Sequence, residues 1–144
     1  MSTSILTAFL ARLSALALTP SLPVMWPGIP KSAPSSGMWL EARYFPNKPG
    51  DLTWGNDAQM DTIGFFQVSV YYRPGTNSGQ HSQVDASEVA DLVIAHFPKG
   101  LPIGPVRVRK SAWQSPAIDL EGKSFLPITV PYRAILSVAG YTAP

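Results

Sequence analysis

The stretch "GFFQVSVYYRPG", residues 64–75, restricts the fold more than any other part of the chain. Even positions give Phe66, Val68, Val70 and Tyr72; odd positions give Phe65, Gln67, Ser69 and Tyr71. Successive side chains of a strand point to opposite faces, so the run reads as a strand with two unlike faces. One face is core. The other is apolar at its ends and polar in its middle, and so asks for a partner other than the core. Arg73-Pro74-Gly75 stops the strand.

Three further segments repeat the rule. In "MWLEARYF", residues 38–45, Met38, Leu40, Ala42 and Tyr44 oppose Trp39, Glu41, Arg43 and Phe45. In "GPVRVRKSAW", Val106 and Val108 oppose Arg107 and Arg109. In "KSFLPITVPYRAIL", Leu126, Ile128, Val130, Tyr132 and Ala134 oppose Phe125, Thr129 and Arg133. Pro127 and Pro131, four apart, turn their nitrogens to one flank of that last strand and remove two donors from it. The strand should therefore lie at an edge or pair poorly on one side. "WQSPAIDLEG" joins the third and fourth segments and carries hairpin-type turn residues.

Helical spacing appears twice. Ile5, Phe9, Leu13 and Leu16 make an amphipathic stripe over residues 1–18, capped by Ser2 or Ser4 and ended by Pro20. Val89, Leu92, Val93 and Phe97, with Ala86 and Ala90, do so over 82–97, capped by Ser82 or Asp85 and ended by Pro98 and Gly100. The expected fold is α+β: a mainly antiparallel four-stranded sheet with helices packed on one face, in the order α-β-β-α-β-β. The 144 residues suggest a single domain. Within it, 19–37 is a proline-rich loop pinned by Val24, Met25, Trp26 and Ile29, and 46–62 is a long polar loop of the kind that often carries function.

Composition narrows the function. Charged residues are 14%, against ~25% in typical soluble domains, so part of the surface is expected to be covered in an assembly. A net charge of +2 falls short of a dedicated nucleic-acid binder. The absence of cysteine excludes disulfides and thiolate chemistry and fits a reducing cytoplasm. "SILTAFLARLSALALTP" resembles a signal peptide, but no basic residue precedes the apolar run and Arg12 interrupts it. It is also too short to span a bilayer, so no membrane partner is expected.

Reactive groups do not converge. His81 lies in a polar loop and His96 on the last turn of the second helix, where a cation suits the helix dipole. Neither has a partner at triad or metal-ligand spacing. Asp85, Glu88 and Asp91 recur every three residues as a wet helix face. Asp57 and Asp61 form no supported carboxylate pair, and "GIPKS" lacks the first glycine, strand and helix of a phosphate loop. No enzyme, metal or cofactor is expected. The mixed sheet face, with Trp39, Arg43, Phe65, Tyr71, Arg107, Arg109, Trp113 and Arg133, has instead the aromatic and arginine content of a protein–protein interface. An ordinary solvated sheet face is the plainer alternative.

In sequence order, "MWPGIP", "MWLEARYFP", "GFFQVSVYYRPGTNSG", "AHFPKG" and "FLPITVPYRA" resemble the tail terminator-like (tail-completion, neck) proteins of long-tailed bacteriophages over nearly the whole chain. The resemblance implies a structural virion protein assembled in the host cytoplasm. Such proteins form a homo-oligomeric ring, usually a hexamer, on the tail tube protein; the ring stops tube polymerisation and meets a head completion or connector protein. DNA passes through the ring without sequence-specific binding. Ring closure needs two different patches per subunit. The leading helix with its proline-rich loop and the mixed sheet face are the candidates, and Trp54 in the 46–62 loop is a candidate contact to tube or connector. Arg107 and Arg109 serve either a subunit contact or the lumen. A small non-enzymatic adaptor using the same sheet face is the alternative, and a hydrolase without recognisable motifs a third reading.

Overall fold

Two strands of unusual length set the architecture. In the computed structural model, β4 (Gln59–Tyr72) and β9 (Lys123–Ser137) pair antiparallel from Gln59↔Ser137 to Tyr72↔Ser124. The structure describes residues 2–16, 18, 22–27, 37–46, 50–51 and 59–137. The first helix, α1 (Ser2–Ser14), precedes β1 (Val24–Met25), β2 (Trp39–Pro46) and β3 (Gly50–Asp51). After β4 come α2 (Gln83–His96), β5 (Pro102–Ile103), β6 (Val106–Val108), β7 (Trp113–Gln114) and β8 (Ile118–Leu120).

The expected mainly antiparallel four-stranded sheet with helices packed on one face is overturned. Nine described strands form one sheet, ordered β1-β2-β4-β9-β6-β5, with β3 on β4 and β7 and β8 on β9. It is mixed, because β1 runs parallel to β2, and it curls into a half-barrel. Twist is the reason. Each strand has a right-handed twist, and strands of 14 and 15 residues accumulate enough of it to coil the sheet. Both stretches expected to be loops contribute strands: Val24–Met25 lies in the proline-rich segment, and Gly50–Asp51 and the start of β4 lie in the 46–62 excursion.

Pro127 and Pro131 act as their spacing predicts. The β4 flank of β9 is paired continuously, while the other flank is shared among β6, β7 and β8. The proline carbonyls accept there from the amides of Arg109 (2.9 Å) and Ser115 (2.8 Å), but the prolines return no donor. The ladder is thus broken into short pieces. β8 turns into β9 through Glu121 and Gly122, both at positive φ, as a two-residue hairpin requires.

The core fills the hollow of the curl. Phe66, Val68, Val70, Leu126, Ile128, Val130 and Tyr132 meet Ile5, Phe9 and Leu13 of α1 and Ala86, Ala90 and Val93 of α2. Phe9 stacks on Phe66 at 4.6 Å between centroids and meets the edge of Tyr132 at 5.4 Å. Gly64 leaves room for Tyr132, whose hydroxyl would lie 2.8 Å from a Cβ there. Ser82 caps α2 in a reciprocal capping box with Asp85. The two helices are tied at their ends. Arg12 Nε and Nη2 donate to the His96 carbonyl at 3.0 and 2.8 Å, and His96 Nε2 donates to the Arg12 carbonyl at 2.6 Å. A guanidinium thus satisfies an orphan carbonyl at the negative end of α2.

Candidate functional site

Because Leu40, Ala42, Phe66, Val68, Val106, Val108, Tyr132 and Ala134 face the core, the odd-numbered side chains of β2, β4, β6 and β9 face outward. Register sorts them into rows. Trp39, Tyr71 and Phe125 lie side by side, then Glu41, Ser69 and Pro127, then Arg43, Gln67, Thr129 and Trp113. Phe45, Phe65 and Pro131 follow, and Ile63, Arg133 and Arg107 form the last row. Two aromatic rows thus bracket two polar ones across β2, β4 and β9.

The first row is a continuous stack. Tyr71 lies 5.3 Å from Trp39 and 4.8 Å from Phe125, with interplanar angles of 11° and 22°. The Arg73 guanidinium sits 5.5 Å from the Trp39 ring centroid, and the Lys123 ammonium 5.8 Å from that of Tyr71. Trp39 is 1% exposed and Tyr71 8%, so both are covered within the chain itself. Burial pushes the Tyr71 phenol above its ordinary range, and the nearby Glu41 carboxylate adds to the shift. Glu41 also holds Arg43 Nε at 2.7 Å. Phe45 and Phe65 stack at 4.7 Å, with Phe45 exposed. The face is therefore less open than its composition suggests. Its exposed apolar groups include Phe45, Trp113, Ile118 and Leu120.

The last row opens into a cleft of about 520 Å³ around the β5–β6 turn. Lys99, Arg107, Arg109 and Arg133 supply four cations to its lining, and the described residues that line it include no Asp or Glu. Arg107 Nη1 donates to the Gly100 carbonyl at 3.2 Å, which fixes its guanidinium at the rim. Register brings Arg107 beside Arg133, as strand alternation predicts; the loop that adds Lys99 has no such pattern. α2, which packs on the inner face of the sheet, exposes Val84, Asp85, Glu88, Asp91 and Leu92. The sequence stripe places Leu92 in the core with Val93, but only Val93 is buried. Leu92 lies about 100° round the helix from Val93, outside the stripe that Ala86, Ala90 and Val93 bury.

Other groups singled out in the sequence stand apart. His81 Nδ1 lies 3.5 Å from Asp85 at the mouth of α2, a pairing the spacing analysis does not anticipate. His96 serves the helix ends. Among the described residues no group of three or more His, Asp or Glu side chains could hold a metal, and no helix is long and apolar enough to cross a membrane. Trp54 and Asp57 lie outside the described residues.

Residues 4–132 match the family model described as phage tail terminator protein. The chain belongs to that family. It is accordingly a structural component of a phage tail, built to contact other tail or head proteins. One solved structure shares 30% identity with the terminator chain, in a match that covers 93% of this chain and 95% of that one, and superposes with a TM-score of 0.71. No curated protein matches.

Proposed function

We propose that this tail terminator forms a ring, of six copies by resemblance, on the finished tail tube. The ring halts addition of tube protein and presents its opposite surface to the head completion or connector protein. DNA crosses its lumen without sequence readout, and assembly takes place in the host cytoplasm. The family match over 4–132 carries this reading. The low charge content and the exposed Phe45, Trp113, Ile118 and Leu120 support a protein that works by contact. Micrographs of particles made without the protein test it. Overlong or headless tails are the expected result; normal virions would overturn it.

A further inference from the structure

We propose that the basic cleft of one copy receives the outer face of α2 from the next copy, so that these two patches form the subunit contact. The inference rests on the ring reading above and adds which surfaces meet. Three observations converge on a second copy as occupant.

The first is charge. Among the described residues, Lys99, Arg107 and Arg109 stand in the cleft with no carboxylate in its lining, and Glu88 and Asp91 stand on α2 with no ion pair. Each patch carries what the other lacks, and unlike potentials brought together steer and register an interface. The second is apolar content. Val84 and Leu92 are 66% and 52% exposed, one on each side of Glu88 at helical spacing. The cleft offers Pro102 and Pro105 among its cations. Val84 to Leu92 spans about 12 Å along the helix, so the acids and the apolar groups present together.

The third is placement. Arg107 points away from the core on the outer face of the sheet, whereas α2 packs on the inner face with its own outer side turned further away. One subunit therefore cannot satisfy its own cleft with its own helix. Two unlike patches on opposite sides make a head-to-tail contact, which closes into a ring when the rotation permits. A self-complementary twofold contact would not use the patches in this way.

The test uses the full-length chain in sedimentation velocity with native mass spectrometry. A cleft variant, Arg107→Glu with Arg109→Glu, keeps a normal helix face. A helix variant, Val84→Asp with Leu92→Asp, keeps a normal cleft. All four positions are exposed, so melting temperature should stay near that of the wild type. Each variant alone should be monomeric at concentrations where the wild type assembles. Mixed one to one, they share a single good contact and should stop at a 1:1 dimer. Adding Glu88→Lys and Asp91→Lys to the cleft variant restores opposite charges and should restore assembly. Wild-type assembly should also weaken as salt rises. If both variants assemble like a self-associating wild type, the contact lies elsewhere and only this inference falls. A wild type that stays monomeric at every concentration sinks the ring reading as well. Intact rings of the cleft variant with impaired retention of DNA would give the cleft to phosphate and overturn the proposal.

Discussion

Replacing Tyr71 by alanine tests whether the aromatic row is part of the protein's own stability or is held in reserve for a neighbour. The ring is covered on both sides, by Trp39 at 5.3 Å and Phe125 at 4.8 Å, and only 8% of the residue is exposed. Truncating a buried aromatic to alanine costs about 3–5 kcal/mol. Within that cost, each well-placed aromatic pair accounts for ~0.5–1.5 kcal/mol beyond area. The Lys123 contact at 5.8 Å is partly solvated and adds little. The phenol donates to Glu41 Oε1 at 3.4 Å, a long bond of small net value. Tyr71→Ala should therefore lower the melting temperature by roughly 6–20 °C, at ~2–4 °C per kcal/mol for a chain near this size. Tyr71→Phe keeps the stack and should stay within roughly 2 °C. Differential scanning fluorimetry with a chemical-denaturation check reads both. A Tyr71→Ala protein as stable as the wild type would show that the stack contributes nothing to folding and would return this row to the pool of contact residues.

Val68→Asp or Ile128→Asp places an unpaired charge at a fully buried position, costs several kcal/mol or roughly the whole stability, and should leave no soluble folded protein. Recovery of folded mutant would invert the assignment of faces. Gly64→Ala puts a Cβ 2.6 Å from the Phe45 carbonyl oxygen and 2.8 Å from the Tyr132 hydroxyl; the backbone cannot yield cheaply, so about 1–3 kcal/mol should be lost, and a neutral melting curve would disprove the close approach. Burial pushes the Tyr132 and Tyr44 phenols, which share a 2.9 Å hydrogen bond, above their ordinary pKa near ~10. The folded state then holds protons that the unfolded state releases. This contribution to stability is complete below pH ~10 and is lost as pH rises above it. Urea midpoints from pH 8 to 11 should fall beyond pH ~10, and less steeply in Tyr132→Phe; an unchanged slope in that variant would remove Tyr132 as the cause.

Much of the chain announces its local structure. The 64–72 alternation needs only the twofold period of a strand, and Phe66, Val68 and Val70 do lie in the core. The Ile5, Phe9, Leu13 stripe and the Ser82 cap likewise depend on neighbours a few residues away, and both helices form where those signals stand. Apart from β6, where Val106 and Val108 alternate with Arg107 and Arg109, the strands of two or three residues have no period to read. That is why β1, β3, β5, β7 and β8 are absent from the expectation, and with them the size and curl of the sheet. The candidate surfaces divide in the same way. Arg107 and Arg133 can be assigned to the outer face from alternation, but their meeting depends on the pairing of β6 with β9. Composition gives Trp39 and Tyr71 the look of contact residues, whereas cross-strand stacking buries them inside their own chain.

Local sequence settles which residues of the long strands turn inward, where the second helix is capped, and which flank of the last strand lacks donors. All three are short-range consequences of side-chain period, caps and proline chemistry. Packing of the whole chain sets how far the sheet extends and curls, that Arg12 closes the end of a helix 84 residues away in sequence, and that Lys99 joins Arg107, Arg109 and Arg133 in one cleft. Those outcomes depend on register and accumulated twist between segments distant in the chain, and no local pattern encodes them.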